Sequence, residues 1–549
     1  MLVSEAVGRA LVTAGVDHVF GVVGSGNFHV TNAMIDAGAR FVASRHEGGA
    51  ATMADAYART AGSVAAVSLH QGCGLSNAMT GIAEAAKSRT PMVVLAAETT
   101  HPLSNFYVDQ DAMATAVGAV PVRITSAETG PAEAVQAVVT ALHERRTVVL
   151  NLPLGIQELE APDVPPPTLP EPPEPRPASE PDLAALANAV RSAQRPVFVA
   201  GRGARSAEAR DALRDLGHRC GALLATSAVA KGLFHDDVWS LDVSGGFASP
   251  LAAELIGDAD LIIGWGCALN MWTMRHGRLI AADATVVQVD DTPAALGMHR
   301  ELTFGVVGDV ATTASSLAGQ VGPERQGYRT EPVRERLATS LRWRDVPYDD
   351  ASYDDASDRQ RIDPRTVSLA IDDLLPTERV VGVDSGNFMG YPSMFLSVPD
   401  ERGFCFTQAF QSIGLGLATA IGAALAQPDR LPVAALGDGG VLMAAAELDT
   451  VCRLDLPMVV VVYNDDAYGA EVHHFAPDGH DVSTVRFPET DIAAIARGYG
   501  FEAVTIRQSD DLRGVADWVD GPRMSPLLID AKVLSDEPAW WLEEAFRGH

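Results

Sequence analysis

Within Leu431–Gly469, LPVAALGDGGVLMAAAELDTVCRLDLPMVVVVYNDDAYG, two sets of acidic side chains are placed against a glycine turn in one strand–helix–strand unit. Val433–Leu436 reads as an apolar strand, Gly437–Gly440 as a turn, Met443–Arg453 as a helix and Met458–Tyr463 as a second apolar strand. A right-handed crossover of that length makes the two strands parallel neighbours. Asp438 then leaves the carboxyl end of one strand, while Asn464, Asp465 and Asp466 leave the same end of the next. Open parallel sheets bind ligands at that edge. Glycines let backbone N–H groups approach phosphate oxygens, and Mg²⁺ takes one or two carboxylates while phosphates complete its octahedron. Either half alone is an ordinary polar turn. Together, at this spacing, they predict a site for a metal-bound diphosphate.

With these residues in view, the chain resembles the thiamine diphosphate (ThDP) enzymes of the acetolactate synthase, pyruvate decarboxylase and benzoylformate decarboxylase group. Their signature is GDG followed after the next strand by, usually, NN, and here it stands as Gly437-Asp438-Gly439 and Asn464-Asp465. The resemblance covers nearly the whole chain. It implies that Asp438 and Asp465 are side-chain Mg²⁺ ligands, with the backbone carbonyl of Ala467 as a third. It also implies cofactor contacts from Gly386, Asn387, Gly437, Gly439, Gly440, Asn464, Tyr468 and Gly469. The second Asn of the pattern is Asp here, which adds negative charge beside a diphosphate and keeps Asn464 as the alternative ligand.

Composition narrows the remaining classes. The chain has 549 residues, 47% of them hydrophobic, enough for several cores in a soluble globular protein of three or four domains. A net charge of −30 argues against nucleic acid or an anionic membrane as partner, because both need clustered Lys and Arg. Cys73, Cys220, Cys267, Cys405 and Cys452 are odd in number and form no CxxC, which points away from a disulfide framework or a zinc site. The first residues read as an amphipathic helix running into a strand rather than a signal peptide, and no apolar run reaches transmembrane length. The cytoplasm is the expected compartment.

Two linkers divide the chain. Ala161–Pro181, APDVPPPTLPEPPEPRPASEP, is dense in proline and should be an extended connector. Gly322–Asp363 is charged and contains the duplication YDDASYDDAS, which reads as solvent-exposed. The expected fold is α/β, three doubly wound parallel-sheet domains at 1–160, 182–320 and 363–549. The outer two share a pattern: Ser63–Ala97 and Leu431–Tyr463 each run strand, glycine turn, helix and a Pro-Met-Val-Val strand, and GVVGSGNF (Gly21–Phe28) is echoed by GVDSGNF (Gly382–Phe388). Only the second copy has an acid at the turn, since His70-Gln71-Gly72 stands where the other has Gly437-Asp438-Gly439. The resemblance implies a pyrimidine-binding N-terminal domain and a diphosphate-binding C-terminal domain, with the cofactor between them and the two halves of a site drawn from different subunits. That makes a homodimer the minimum, with a homotetramer expected. In the middle domain Gly201-Arg202-Gly203 is an incomplete dinucleotide signal. FAD, which some relatives bind there, is therefore not favoured.

For catalysis the resemblance implies a glutamate bonded to N1′ of the aminopyrimidine, and Glu47 in SRHEGGAATMADAYART matches it. Glu47 lies between the strand Arg40–Ser44 and an alanine-rich helix, where burial is expected to raise its pKa. Ile413 in QSIGLGLATAIGA corresponds to the bulky residue that keeps the cofactor bent. His70 and Ser25 match the catalytic His and Ser of benzoylformate decarboxylase, a turn histidine bonded to backbone being the plainer reading of His70. Gln110 resembles the glutamine of the synthase and lyase branch, and His473, just past the metal loop, is a further candidate near substrate. The expected activity is addition of a 2-oxo acid to ThDP, loss of CO₂, and carboligation to an aldehyde or keto acceptor, as in acetolactate synthase. Simple decarboxylation is the alternative, and a catalytically degenerate ThDP-fold scaffold or regulator the alternative of another class.

Overall fold

The strands are runs such as Val459–Asn464 (VVVVYN) and Met92–Glu98 (MVVLAAE), buried at every position. β-branched runs with no polar face belong to parallel sheets covered by helices on both sides. The computed structural model describes residues 1–163, 165, 167–353, 360–535 and 539–542. In these residues the strands form three six-stranded sheets, and neighbouring strands run parallel throughout.

The first sheet orders its strands Arg40–Ala43, His18–Gly21, Ala65–Leu69, Met92–Glu98, Thr147–Pro153, Val120–Arg123. The third reads Phe404–Phe406, Arg379–Val383, Leu431–Gly437, Val459–Asn464, Leu527–Lys532, Glu502–Ile506. Both follow the order 2-1-3-4-6-5, so the shared sequence pattern of the outer halves is a shared topology. Strand order reverses between the first and third strand of each sheet, and the crevice beyond that reversal is where doubly wound sheets take ligands. In the third sheet it lies between the turns at Asp384–Phe388 and Asp438–Gly440. In the first it lies between Val22–Phe28 and His70–Gly72.

The middle sheet runs Phe304–Val307, Thr285–Asp290, Leu261–Trp265, Pro196–Ala200, Leu223–Thr226, Ser240–Val243. Its reversal brings Gly201 and Gly203 onto Gly266. A Cβ on Gly201 would stand 2.3 Å from the Gly266 carbonyl, and one on Gly203 2.9 Å from Gly266 Cα. Close backbone approach thus accounts for both glycines of the incomplete dinucleotide signal.

Helices Glu47–Ala61 and Gly416–Ala426 join the outer domains. The second, GLATAIGAALA, is buried on all sides, as an all-apolar helix must be. Gly422 lets it touch the first helix directly, since a Cβ there would meet the Met53 carbonyl at 2.2 Å. One apolar core, with Met53, Ala54, Leu417 and Ile421 among its members, spans both domains.

Two local expectations are corrected. The turn Gly437–Gly440 and helix Met443–Arg453 are instead one short helix, Asp438–Met443, and a second, Glu447–Arg453, because the glycines after Asp438 adopt helical rather than turn geometry and the break falls at Ala444–Ala446. The charged segment Gly322–Asp363 is not simply an exposed connector either. It holds the helix Glu331–Ser340, whose Val333 and Leu337 enter the middle domain's core, and Trp343, which stacks on Trp540 at 5.8 Å. Tyr348, in the first YDDAS, is half-buried under the Arg365 guanidinium, while most of the second copy lies outside the described residues. Among the described residues, the proline-rich segment carries no regular element before the helix Glu180–Ser192.

An ionic cluster fastens the three domains. Arg59 donates to Asp55 (2.7 and 2.5 Å) and to Glu84 (2.8 Å), all three buried. Glu84 also accepts the N–H groups of Ala409 (3.1 Å) and Phe410 (2.6 Å) from the C-terminal domain, and Arg205 of the middle domain donates to the Arg59 carbonyl (3.3 Å). Burial pushes the Asp55 carboxyl up and the Arg59 guanidinium opposes it. Removing one member of such a cluster strands the others without water or a counter-charge. Arg59→Met is therefore expected to cost about 3–5 kcal/mol, read as an earlier denaturant unfolding transition; a transition coincident with wild type would contradict this.

Candidate active site

Asp438 opens the helix that follows Leu431–Gly437 and is 8% exposed. Asp465 follows the neighbouring strand Val459–Asn464 and lines the same cavity. Both carboxyls are held above the usual aspartate range. Burial is the main cause for each; the facing Asp465 adds to the rise at Asp438, and at Asp465 the Ala467 N–H and the Arg361 charge work against it. Two buried like charges that face each other are a demand for a cation.

The floor around them is backbone. A Cβ on Gly386 or Gly437 would lie 3.1 Å from the Phe388 ring, on Gly439 2.6 Å from Tyr468, on Gly440 2.2 Å from Asp384 Oδ2, and on Gly469 2.4 Å from Asp465 Oδ2. Gly386 has φ 142°, open to glycine alone. Asn387 stands at the rim with its Oδ1 buried and unpartnered, its backbone carbonyl accepting from Trp541 Nε1 at 3.1 Å. Ile413 lines the same cavity, which measures about 1530 Å³ and extends past Trp272 and Gly203 into the middle domain. These features suit a diphosphate and a divalent cation: two acids, a cradle free of side chains, and a buried amide oxygen without a partner.

Asp384 is the residue that sequence reading missed. It is fully buried and accepts the N–H groups of Ser385 (2.8 Å), Gly414 (3.0 Å) and Leu415 (3.2 Å). Burial pushes its carboxyl up to about 6 while those N–H groups oppose the rise. It fixes the loop of Ile413 against Gly440. Its signal was an acid at a strand's carboxyl end inside GVDSGNF, in a motif noted only for its repeat.

The alternative ligand Asn464 does not face the cavity. Its side chain is fully buried, Nδ2 donating to Asp530 Oδ1 (2.8 Å) and Oδ1 accepting the Asp466 N–H (3.2 Å). His473, half-buried on the helix Gly469–Phe475, is not part of the cavity wall either.

The N-terminal candidates gather at their own crevice. Gly26 N–H donates to His70 Nδ1 at 3.2 Å, which draws the exposed Ser25 loop onto the histidine, and Phe106 meets His70 edge-on at 5.2 Å. Gln110 is buried behind that turn, accepting the Gly72 N–H (3.1 Å) and donating to Asn151 (2.7 Å), so in the single chain it shapes the turn. Glu47 opens its helix and accepts from Asn77 Nδ2 at 3.0 Å. It is half-buried rather than buried as expected, and it lies outside the cavity that Asp438 and Asp465 line. The preceding N–H groups of Arg45 and His46 both donate to Glu447 Oε1 at 3.0 Å. None of Ser25, Glu47, His70 or Gln110 lines the cavity that Asp438 and Asp465 line.

Three family models match in order: the N-terminal TPP binding domain of the thiamine pyrophosphate enzymes over residues 1–113, their central domain over 183–317 and their C-terminal TPP binding domain over 384–530. The chain belongs to the thiamine pyrophosphate enzymes. Among similar proteins are an acetolactate synthase large subunit of Parasynechococcus marenigrum (28% identical, covering 97% of this chain and 88% of the relative) and a sulfoacetaldehyde acetyltransferase of Castellaniella defragrans (27%, 93% and 89%). A probable 2-ketoarginine decarboxylase of Pseudomonas aeruginosa is 29% identical over 92% of this chain and 89% of its own length. The family acts on small 2-oxo acids, and this member is a ThDP-dependent enzyme of carboligase or decarboxylase type.

Two predictions come from the paired acids. Asp438→Ala should abolish retention of ThDP with Mg²⁺, measured by calorimetry, while Asp465→Asn should be tolerated; normal binding by the alanine variant would refute the metal assignment. The second concerns pH. Both metal-free carboxyls titrate above the ordinary aspartate value of about 3.9, so below their raised values protons compete with the cation. Mg²⁺ affinity should keep rising with pH above the ordinary carboxylate range, with proton release on binding, and level off once both acids are ionised. Asp465→Asn removes one carboxylate and should move that rise to lower pH. An affinity flat in pH would contradict the pairing.

Proposed function

We propose that this ThDP enzyme uses Mg²⁺, held by Asp438, Asp465 and the Ala467 carbonyl, to decarboxylate a 2-oxo acid and transfer the remaining fragment to an aldehyde or keto acceptor. The observation that carries the reading is the pair of facing carboxylates above a glycine floor in a cavity that Ile413 also lines. ThDP, when bound, supplies an electron sink at the former carbonyl carbon. With that sink bound, the donor would lose CO₂ and its remaining two-electron acyl-anion equivalent would pass to the acceptor carbonyl carbon, the acceptor oxygen taking a proton and the cofactor being released unchanged. The chain's part is to position and to move protons: Ile413 and the Asp384-held loop shape the cofactor's seat, and Glu47 serves N1′ of the aminopyrimidine.

Because Glu47 and His70 lie outside their own chain's metal cavity, we propose a homodimer at least, and a homotetramer by extension, in which a second copy brings Glu47 over the floor. FAD is not proposed, since Gly201 and Gly203 are already explained by packing against Gly266. No described helix is long and apolar enough to cross a membrane, and the cytoplasm is the proposed compartment. The names of the relatives divide between transfer to an acceptor and release of CO₂. One observation favours the second, benzoylformate decarboxylase-like reading: His70 and the Ser25 loop are bonded together at a ligand crevice, where a histidine can protonate the fragment directly. A degenerate scaffold fits less well, because the chain retains Glu47, Asp438 and Asp465 together.

A screen of 2-oxo acids for CO₂ release, with and without an aldehyde or keto acceptor, tests the function; no CO₂ from any of them, with ThDP bound, would support the scaffold. Glu47→Gln should keep most cofactor affinity and slow hydrogen–deuterium exchange at the thiazolium C2 by orders of magnitude, and unchanged exchange would make Glu47 structural. For the decarboxylase reading, His70→Ala should slow aldehyde formation by about 10²–10⁴-fold; for the ligase reading it should chiefly alter acceptor use and product partition.

A further inference from the structure

The metal loop gathers three consecutive polar residues, Asn464, Asp465 and Asp466, and the middle one is the expected ligand. What holds it comes from outside the loop. Arg361 closes the segment between the middle and C-terminal domains, where Ile362 bridges to Val533 and its N–H donates to the Lys532 carbonyl at 2.9 Å. The Arg361 side chain is 14% exposed. Its Nη1 donates to the carbonyls of Asn464 (3.1 Å) and Val533 (3.2 Å), and its Nη2 to Asp466 Oδ2 (2.5 Å). One guanidinium therefore grips the residue before Asp465 and the residue after it.

Asp466 needs that grip. Its φ is +54°, a left-handed conformation that costs a non-glycine residue about 1 kcal/mol or more unless its surroundings impose it. Asp466 N–H is bonded to Asn464 Oδ1, and Asn464 is in turn bonded to Asp530, which pairs with Lys532 at 3.1 Å. The left-handed step sends the chain from Asp465 to the Ala467 carbonyl, the two expected ligands on this side of the cation. Charge points the same way: Asp438 from one strand end and Asp465 and Asp466 from the next bring three carboxylates together, and Arg361 pairs with the third.

We infer that Arg361 is a positioning residue for the metal loop, clamping Asp466 in its left-handed conformation so that Asp465 and the Ala467 carbonyl face the cation. The inference rests on the assignment of Asp438 and Asp465 as the metal site. A planar fork with two carbonyls and a carboxylate is a task for arginine that lysine performs poorly.

The test measures binding. ThDP affinity is titrated calorimetrically in Mg²⁺, and Mn²⁺ binding is followed by its electron paramagnetic resonance signal, with thermal unfolding as the check on fold. Arg361→Ala should weaken metal and ThDP binding by about 10–100-fold, the usual effect of losing a residue that orients a ligand. Adding Asp466→Gly, which accepts a positive φ and removes the uncompensated carboxylate, should restore most of that loss. Wild-type affinity in Arg361→Ala would overturn the clamp, and so would weakened binding that Asp466→Gly fails to rescue, since Arg361 would then act only as a staple on Val533. Should the alanine variant not fold, Arg361→Lys replaces it, with about 10-fold weaker binding expected and wild-type binding again overturning the clamp. Asp438→Ala separates the two levels. If it binds metal and ThDP normally, the metal-site reading fails; if it does not, the result on Arg361 stands by itself.

Discussion

Two carboxylates held face to face in a partly dry cavity are unstable alone, and much of the C-terminal domain is arranged to keep them so. Each is fixed from behind by groups that never touch a ligand. Asp465 is bracketed by Asn464, tied down through Asp530 and Lys532, and by Asp466, tied to Arg361. The Asp438 turn is pressed by Gly440 onto Asp384, a third buried acid that uses its acceptors on backbone N–H groups of the Ile413 loop. In the proposed metal site, a divalent cation would relieve the repulsion that burial and proximity impose on the pair. Pre-organisation of this kind moves the cost of bringing the acids together from binding to folding.

The same topology is used twice with opposite chemistry. In both outer sheets the first and third strands flank the reversal of strand order, and the two turns beyond it face each other. One copy puts Asp438 there, facing Asp465 across an anionic pocket. The other puts His70 there, with its Nδ1 bound by the Gly26 N–H, and leaves its second nitrogen for another partner. The fold therefore repeats the crevice in each half, and the residue at the turn, Asp438 in one and His70 in the other, gives each crevice a different chemical character.

The sequence carried the topology well, and it named Asp438 and Asp465, which the fold brings to one cavity, because both readings rest on local signals: apolar strands of parallel-sheet type, glycine turns, and acids at the strand ends. Helix boundaries after Asp438 were misjudged because Gly439 and Gly440 look like turn formers, while packing against Asp384 and Tyr468 requires residues without side chains in a helical turn. Asn464 stood as an alternative ligand because adjacent residues at a strand end cannot be told apart without the direction of each side chain; its bond to Asp530, distant in sequence, decides it. Arg361 and Glu84 were invisible for the same reason, and Asp384, though at a strand end inside GVDSGNF, shows its role only through its bonds to Gly414 and Leu415. Each acts through partners far along the chain, and no spacing rule connects Arg361 to Asp466 or Glu84 to Phe410.

Glu47 shows how far the two outer domains depend on each other. The backbone just before it is held by Glu447, a 3% exposed carboxylate on the helical segment that follows the Asp438 turn, and Gly49 is a glycine because a Cβ would lie 2.6 Å from Glu447 Oε1. A buried carboxylate that accepts two N–H groups across a domain boundary holds them in one geometry, since losing either bond would leave charge unpaid in a dry interface. The C-terminal domain thus sets the position of a glutamate that lies outside the cavity Asp438 and Asp465 line. The dimer proposed above accounts for a group held this rigidly and yet outside the cavity that Asp438 and Asp465 line.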